Sequence, residues 1–70
     1  METTVKERLI TYIKHKKISQ KRFEIICGLS NGYINHITKG IGVEKLSTIL
    51  NSFPDLNREW LLYGEGTMLN

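Results

Sequence analysis

The sequence predicts an all-α fold, a compact single domain of five short helices, and three observations carry that prediction. Apolar residues recur three and four positions apart rather than alternating. Each apolar stretch is opened by a residue able to cap a helix or closed by glycine or proline. No segment shows the period-two pattern of a strand, and there is no internal repeat or low-complexity run. The domain is expected to span residues 1–66, with 67–70 as a short C-terminal tail.

In the first stretch, Thr4 followed by Glu7 makes a capping box. Val5, Leu9 and Ile13 then form an inward stripe flanked by Ile10 and Tyr12, which places a helix at about 5–15. Lys14, His15, Lys16 and Lys17 put cations at its negative end, and Ile18 is expected to turn back into the core. Ser19 caps a second helix whose inward residues are Phe23, Ile26 and Cys27, and Gly28 supplies the left-handed residue that stops it. Ser30 caps a third helix. Leu29, one residue before the cap, and Ile34, at the fourth helical position, can close a hydrophobic staple; Ile37 continues the stripe and Gly40 ends it. A fourth helix at about 43–52 carries Leu46, Ile49, Leu50 and Phe53 inward until Pro54 ends it. Asn57 caps the fifth, with Glu59 in its first turn, Leu56 and Leu61 at staple positions, and Gly64 and Gly66 as terminators.

Ser19 to Gly40 organises the rest, because two short helices joined through a tight glycine turn describe a helix-turn-helix. Asn31, Gly32, Asn35, His36 and Lys39 fall opposite Ile34 and Ile37, a polar and cationic face without a large apolar residue. The pattern resembles the Cro/CI-type (XRE-like) phage-repressor family, in Ser19-Gln20, Phe23, Cys27, Gly28, Ile34, Ile37 and Gly40. The segment FPDLNREWLLYGEGTML, in which Trp60, Leu61 and Leu62 would dock the last helix, is also similar to the family, so the resemblance runs from about residue 5 to 68. It implies a lambda-repressor-like fold that binds double-stranded DNA as a transcriptional regulator. In many relatives a LexA-like autoprotease or oligomerisation domain follows the Gly-Glu-Gly segment, and nothing of that kind is present in these residues. The chain departs from the family at Glu24, where a small residue, often alanine, is usual. The Glu24 stem is expected along the helix interface, with its carboxylate reaching solvent or a cation such as Arg8; a wider spacing of the two helices is the alternative.

Composition narrows the function classes. Seventy residues form one domain that buries only about 60% of its unfolded surface, which leaves no room for a second catalytic lobe. No apolar run approaches the ~20 residues of a membrane helix, METTVKER carries no signal core, and one cysteine fits a reducing cytoplasm. The charge of +3 is unevenly placed. Residues 1–40 hold eight Lys/Arg against three acids, whereas 41–70 hold two against four, so the helix-turn-helix half is the basic half. Cys27 lies on an apolar face, His15 and His36 lie on different helices, and a single cysteine cannot supply paired zinc ligands. Gly64-Glu65-Gly66 lacks the lysine and strand of a phosphate loop. Neither an enzyme, a metal nor a cofactor is expected.

Carried over from the family by position, Asn31, Gly32, Asn35 and His36 are the base-reading residues. Asn can bond adenine N6 and N7, His can donate to guanine N7 or O6, and Gly32 would permit close approach. Gln20, Lys21, Tyr33, Lys39, Lys16 and Lys17 are the phosphate candidates, with Arg22 in the same basic cluster. Leu62 and Tyr63, beside Trp60 on the final helix, leave room for a homodimer contact. The rival expectations are an antitoxin-like or anti-repressor protein-interaction module on the same fold, and an RNA-binding or purely structural helical module. Asn31, Asn35, His36 and Lys39 offer a protein partner no apolar patch, which favours nucleic acid.

Overall fold

In the computed structural model, which describes residues 4–38 and 40–70, the chain forms four α-helices rather than five. They are α1 (Val5–His15), α2 (Gln20–Cys27), α3 (Val43–Ser52) and α4 (Arg58–Tyr63), and a single 3-10 turn, Ile34–His36, lies between α2 and α3. None of the described helices is long and apolar enough to cross a membrane.

The capping signals act as expected at three helix starts. The hydroxyl of Thr4 accepts from Glu7 N–H at 3.1 Å, that of Ser19 from Arg22 N–H at 3.0 Å, and the Asn57 amide oxygen from Glu59 N–H at 3.0 Å. Gly28 and Gly64 close α2 and α4 in the left-handed region, at φ 68° and 73°. α1 ends differently, on Lys17 at φ 60°, the only non-glycine residue described at positive φ.

α1 packs on α2 and α4, and α2 packs on α3. Leu9, Tyr12, Ile13, Phe23, Cys27, Ile34, Ile49, Leu56 and Leu61 fill the space between them. Tyr12 is fully buried rather than flanking the stripe, because its ring meets Phe53 edge-on at 5.8 Å and Phe53 in turn stacks on Phe23 at 5.0 Å. These three rings tie α1, α2 and the end of α3 together. α4 is held from α1 by Arg8, whose Nε and Nη2 donate to the carbonyls of Leu61 and Leu62 at 2.8 and 3.0 Å, a cation on the negative end of a helix.

Two expectations about α2 are corrected. Ile26 is 45% exposed and does not line the core. The buried face is Phe23, Glu24 and Cys27, and at ~100° per residue Ile26 lies roughly 100° from the centre of that arc. Glu24 occupies the interior position in its place and is only 5% exposed, so its carboxylate does not reach solvent.

Residues 67–70, read as a tail, fold back on the loop before α4. Asn57 N–H donates to Met68 O at 2.9 Å, Asn70 N–H to Asp55 O at 2.8 Å, and Leu56 and Leu69 make one antiparallel bridge. Met68 and Leu69 thereby pack against the core.

Candidate nucleic-acid interface

The segment expected to form the third helix is where sequence and structure differ most. Asn31 to Tyr33 form a turn and Ile34 to His36 one turn of 3-10 helix, joined by Tyr33 N–H to Ser30 O at 3.1 Å, His36 N–H to Tyr33 O at 3.0 Å and Ile37 N–H to Ile34 O at 3.2 Å. Gly32 sits at φ 81°, a left-handed value that cannot belong to a right-handed helix. Ile37 is already extended at ψ 121°, which ends the turn before Gly40. The apolar positions were nevertheless read correctly, since Leu29, Ile34 and Ile37 are all buried.

Ser30 was expected to satisfy the amides that open this segment, and Glu24 performs that task. Its Oε1 accepts from Gly32 N–H and its Oε2 from Ile34 N–H, both at 3.1 Å. A buried carboxylate receiving two backbone N–H groups is a charge-assisted arrangement, stronger than a hydroxyl cap. This explains how a large acid is tolerated where a small residue was expected: the carboxylate is the anchor for the segment that follows α2.

That anchoring leaves Asn31, Asn35 and His36 exposed, with Gly32 and Tyr33 half-buried among them. The His36 Nδ1 lies 2.8 Å from Gly32 O, so the ring is fixed against the turn that carries it. Burial raises the Tyr33 phenol above its ordinary pKa.

The elements that precede this segment carry cations. Gln20 and Lys21 open α2, one turn before Glu24 on the same helix. Lys17, Lys21 and Arg22 are exposed. Lys16, another of the phosphate candidates, is half-buried: its Nζ meets Asp55 Oδ2 at 2.5 Å and lies 5.6 Å from the centre of the Tyr12 ring. Lys39 lies outside the described residues. Sequence reasoning missed Lys6, whose Nζ donates to Asn35 O at 3.3 Å across 29 positions of chain. No local pattern couples residue 6 to residue 35; only the packing of the chain brings that cation to the polar segment.

Cys27 is buried and its thiol pKa is pushed up by burial, against a smaller opposing effect of a hydrogen bond with Ser52, so the group is a thiol and not a thiolate nucleophile. Exposed apolar side chains are Ile25 and Ile26 on α2, Val43 at the start of α3 and Tyr63 on α4. Comparison of the chain with family models, characterised proteins and solved structures finds no match.

Proposed function

We propose that the protein binds double-stranded DNA sequence-specifically and acts as a transcriptional regulator of the phage-repressor type, occupying an operator without a catalytic step. The observation that carries this reading is the exposed trio Asn31, Asn35 and His36 on a segment fixed to the core through the Glu24 carboxylate. Base edges are read by side chains able to donate and accept in the groove, presented on a support that does not yield. Here a turn and one 3-10 turn take the place of an inserted α-helix, and Lys6, Lys17, Lys21 and Arg22 supply the cations that hold phosphates.

A single segment of this size reads few base pairs, so a two-fold dimer is part of the proposal. Tyr63, exposed on α4 beside the half-buried Trp60 and Leu62, is the proposed homodimer contact. A second reading is an antitoxin-like or anti-repressor module, and Ile25 and Ile26, apolar and exposed side by side on α2, favour it.

Titration of random-sequence duplex across salt concentrations separates the two. DNA binding predicts log K falling linearly with log salt, with a slope of roughly −0.9 for each phosphate contacted. A flat response would favour the protein partner.

A further inference from the structure

We infer that His36 recognises a base as a hydrogen-bond acceptor, reading the amino group of adenine or cytosine and not the N7 or O6 of guanine. This rests on the DNA-binding reading above and adds to it the chemical identity of the group read.

The inference follows from the partner of the imidazole. Gly32 O has no hydrogen to give, so the 2.8 Å contact requires Nδ1 to carry the proton. A neutral imidazole has one N–H, which leaves a lone pair on Nε2. His36 is exposed, and Nε2 has no partner among the described residues. In the neutral ring the outward atom is therefore an acceptor.

The turn maintains the proton on Nδ1. Gly32 is held on its amide side by Glu24 Oε1, and its positive φ is part of the bend that brings its carbonyl to the ring four residues on. In the major groove the donors are adenine N6 and cytosine N4, whereas guanine offers two acceptors that would repel a lone pair. The expectation from the residue type alone, a histidine donating to guanine, is thus reversed by one backbone hydrogen bond.

The test begins with sites selected from a random duplex pool at about pH 8, above the ordinary imidazole range. Comparing wild type with His36→Ala locates the base pair that His36 reads. At that pair, purine in place of adenine, or 2-pyrimidinone in place of cytosine, deletes the amino group alone. The expected result is a loss of about tenfold for wild type and none for His36→Ala. His36→Arg, which can only donate, should move the preference toward guanine.

Insensitivity to the amino deletion, or a loss produced by 7-deazaguanine instead, overturns the inference and leaves DNA binding intact. A wild type that selects no site at all overturns the DNA-binding reading and the inference with it. Independently of any DNA, the ¹⁵N shifts of the His36 ring in the free protein should show the Nδ1–H tautomer. The Nε2–H tautomer would contradict the inference directly.

Discussion

Among the described residues, Lys17 is the non-glycine position whose backbone takes a left-handed φ. A left-handed φ costs a non-glycine residue about 1–2 kcal/mol, and Lys17 holds φ 60° to close α1. Lys17→Gly is therefore expected to stabilise the protein by about 0.5–1 kcal/mol, the gain being reduced by glycine's greater freedom when unfolded. A higher urea midpoint with an unchanged slope checks it. The cluster of Tyr12, Asp55 and Lys16 gives the pH dependence. The Lys16 ammonium, and then the Tyr12 hydroxyl at 2.6 Å, hold Asp55 below its ordinary carboxylate pKa. A depressed folded pKa means stability that is present above the unfolded value and lost as pH falls through the folded one. Asp55→Asn should flatten the acid limb of a stability profile below about pH 4. Tyr12 has the opposite sign, because burial first and the Asp55 carboxylate second raise its phenol well above the ordinary value. Its contribution is intact below about pH 10 and lost as pH rises through the higher folded pKa, so Tyr12→Phe should flatten the alkaline limb. None of this was legible in the sequence, where Asp55 carried no assigned role and Tyr12 flanked a stripe; the pair forms only when α1 meets the loop after α3.

At the scale of elements, the boundaries of α1, α3 and α4 were legible because their caps are local. Thr4, Pro54, Asn57 and Gly64 act on residues two to four positions away, and such signals survive in any context. The segment 30–37 was not legible as to helix type. Its amides are satisfied by Glu24 from the preceding helix, and a sequence cannot announce that a side chain eight positions back will outbid the serine cap. The exposure of Asn31, Asn35 and His36 was legible, since the apolar positions Leu29, Ile34 and Ile37 fix which side faces out whether the turn is α or 3-10. Lys6 was invisible, and Ile26 was misplaced because the spacing Phe23, Ile26, Cys27 fits an inward stripe whose interior position Glu24 takes instead. Glu24→Ala should cost about 2–4 kcal/mol, as two amides, one buried and one partly so, lose a charged acceptor. Gly32→Ala should cost about 1–2 kcal/mol from φ alone, since an added Cβ would meet His36 Cε1 at an ordinary 3.6 Å. Denaturant unfolding measures both, and hydrogen exchange at Ile34 N–H should accelerate in the Glu24 variant.

At the scale of the molecule, a radius of gyration of 11.0 Å matches the ~11 Å expected of a compact chain of this length, with residues 67–70 packed in. Its extents of 28 × 23 × 23 Å cover roughly seven to eight base pairs of duplex at ~3.4 Å each. On the proposed reading a monomer that small would read a half-site, and the proposed dimer should protect two, spaced ~10–10.5 base pairs apart. Tyr63→Asp, on the exposed side of α4, is expected to abolish the dimer in sedimentation equilibrium while leaving the fold unchanged. The central claim is that Asn31 and His36 read bases while the cations around them hold the backbone. It is tested most directly by titrating wild type, Asn31→Ala and His36→Ala against the selected duplex and a scrambled one at two salt concentrations. Each alanine variant should lose about 1–3 kcal/mol of preference for the selected site with nearly unchanged affinity for the scrambled one. An unaltered ratio of selected to scrambled affinity in both variants would contradict the account.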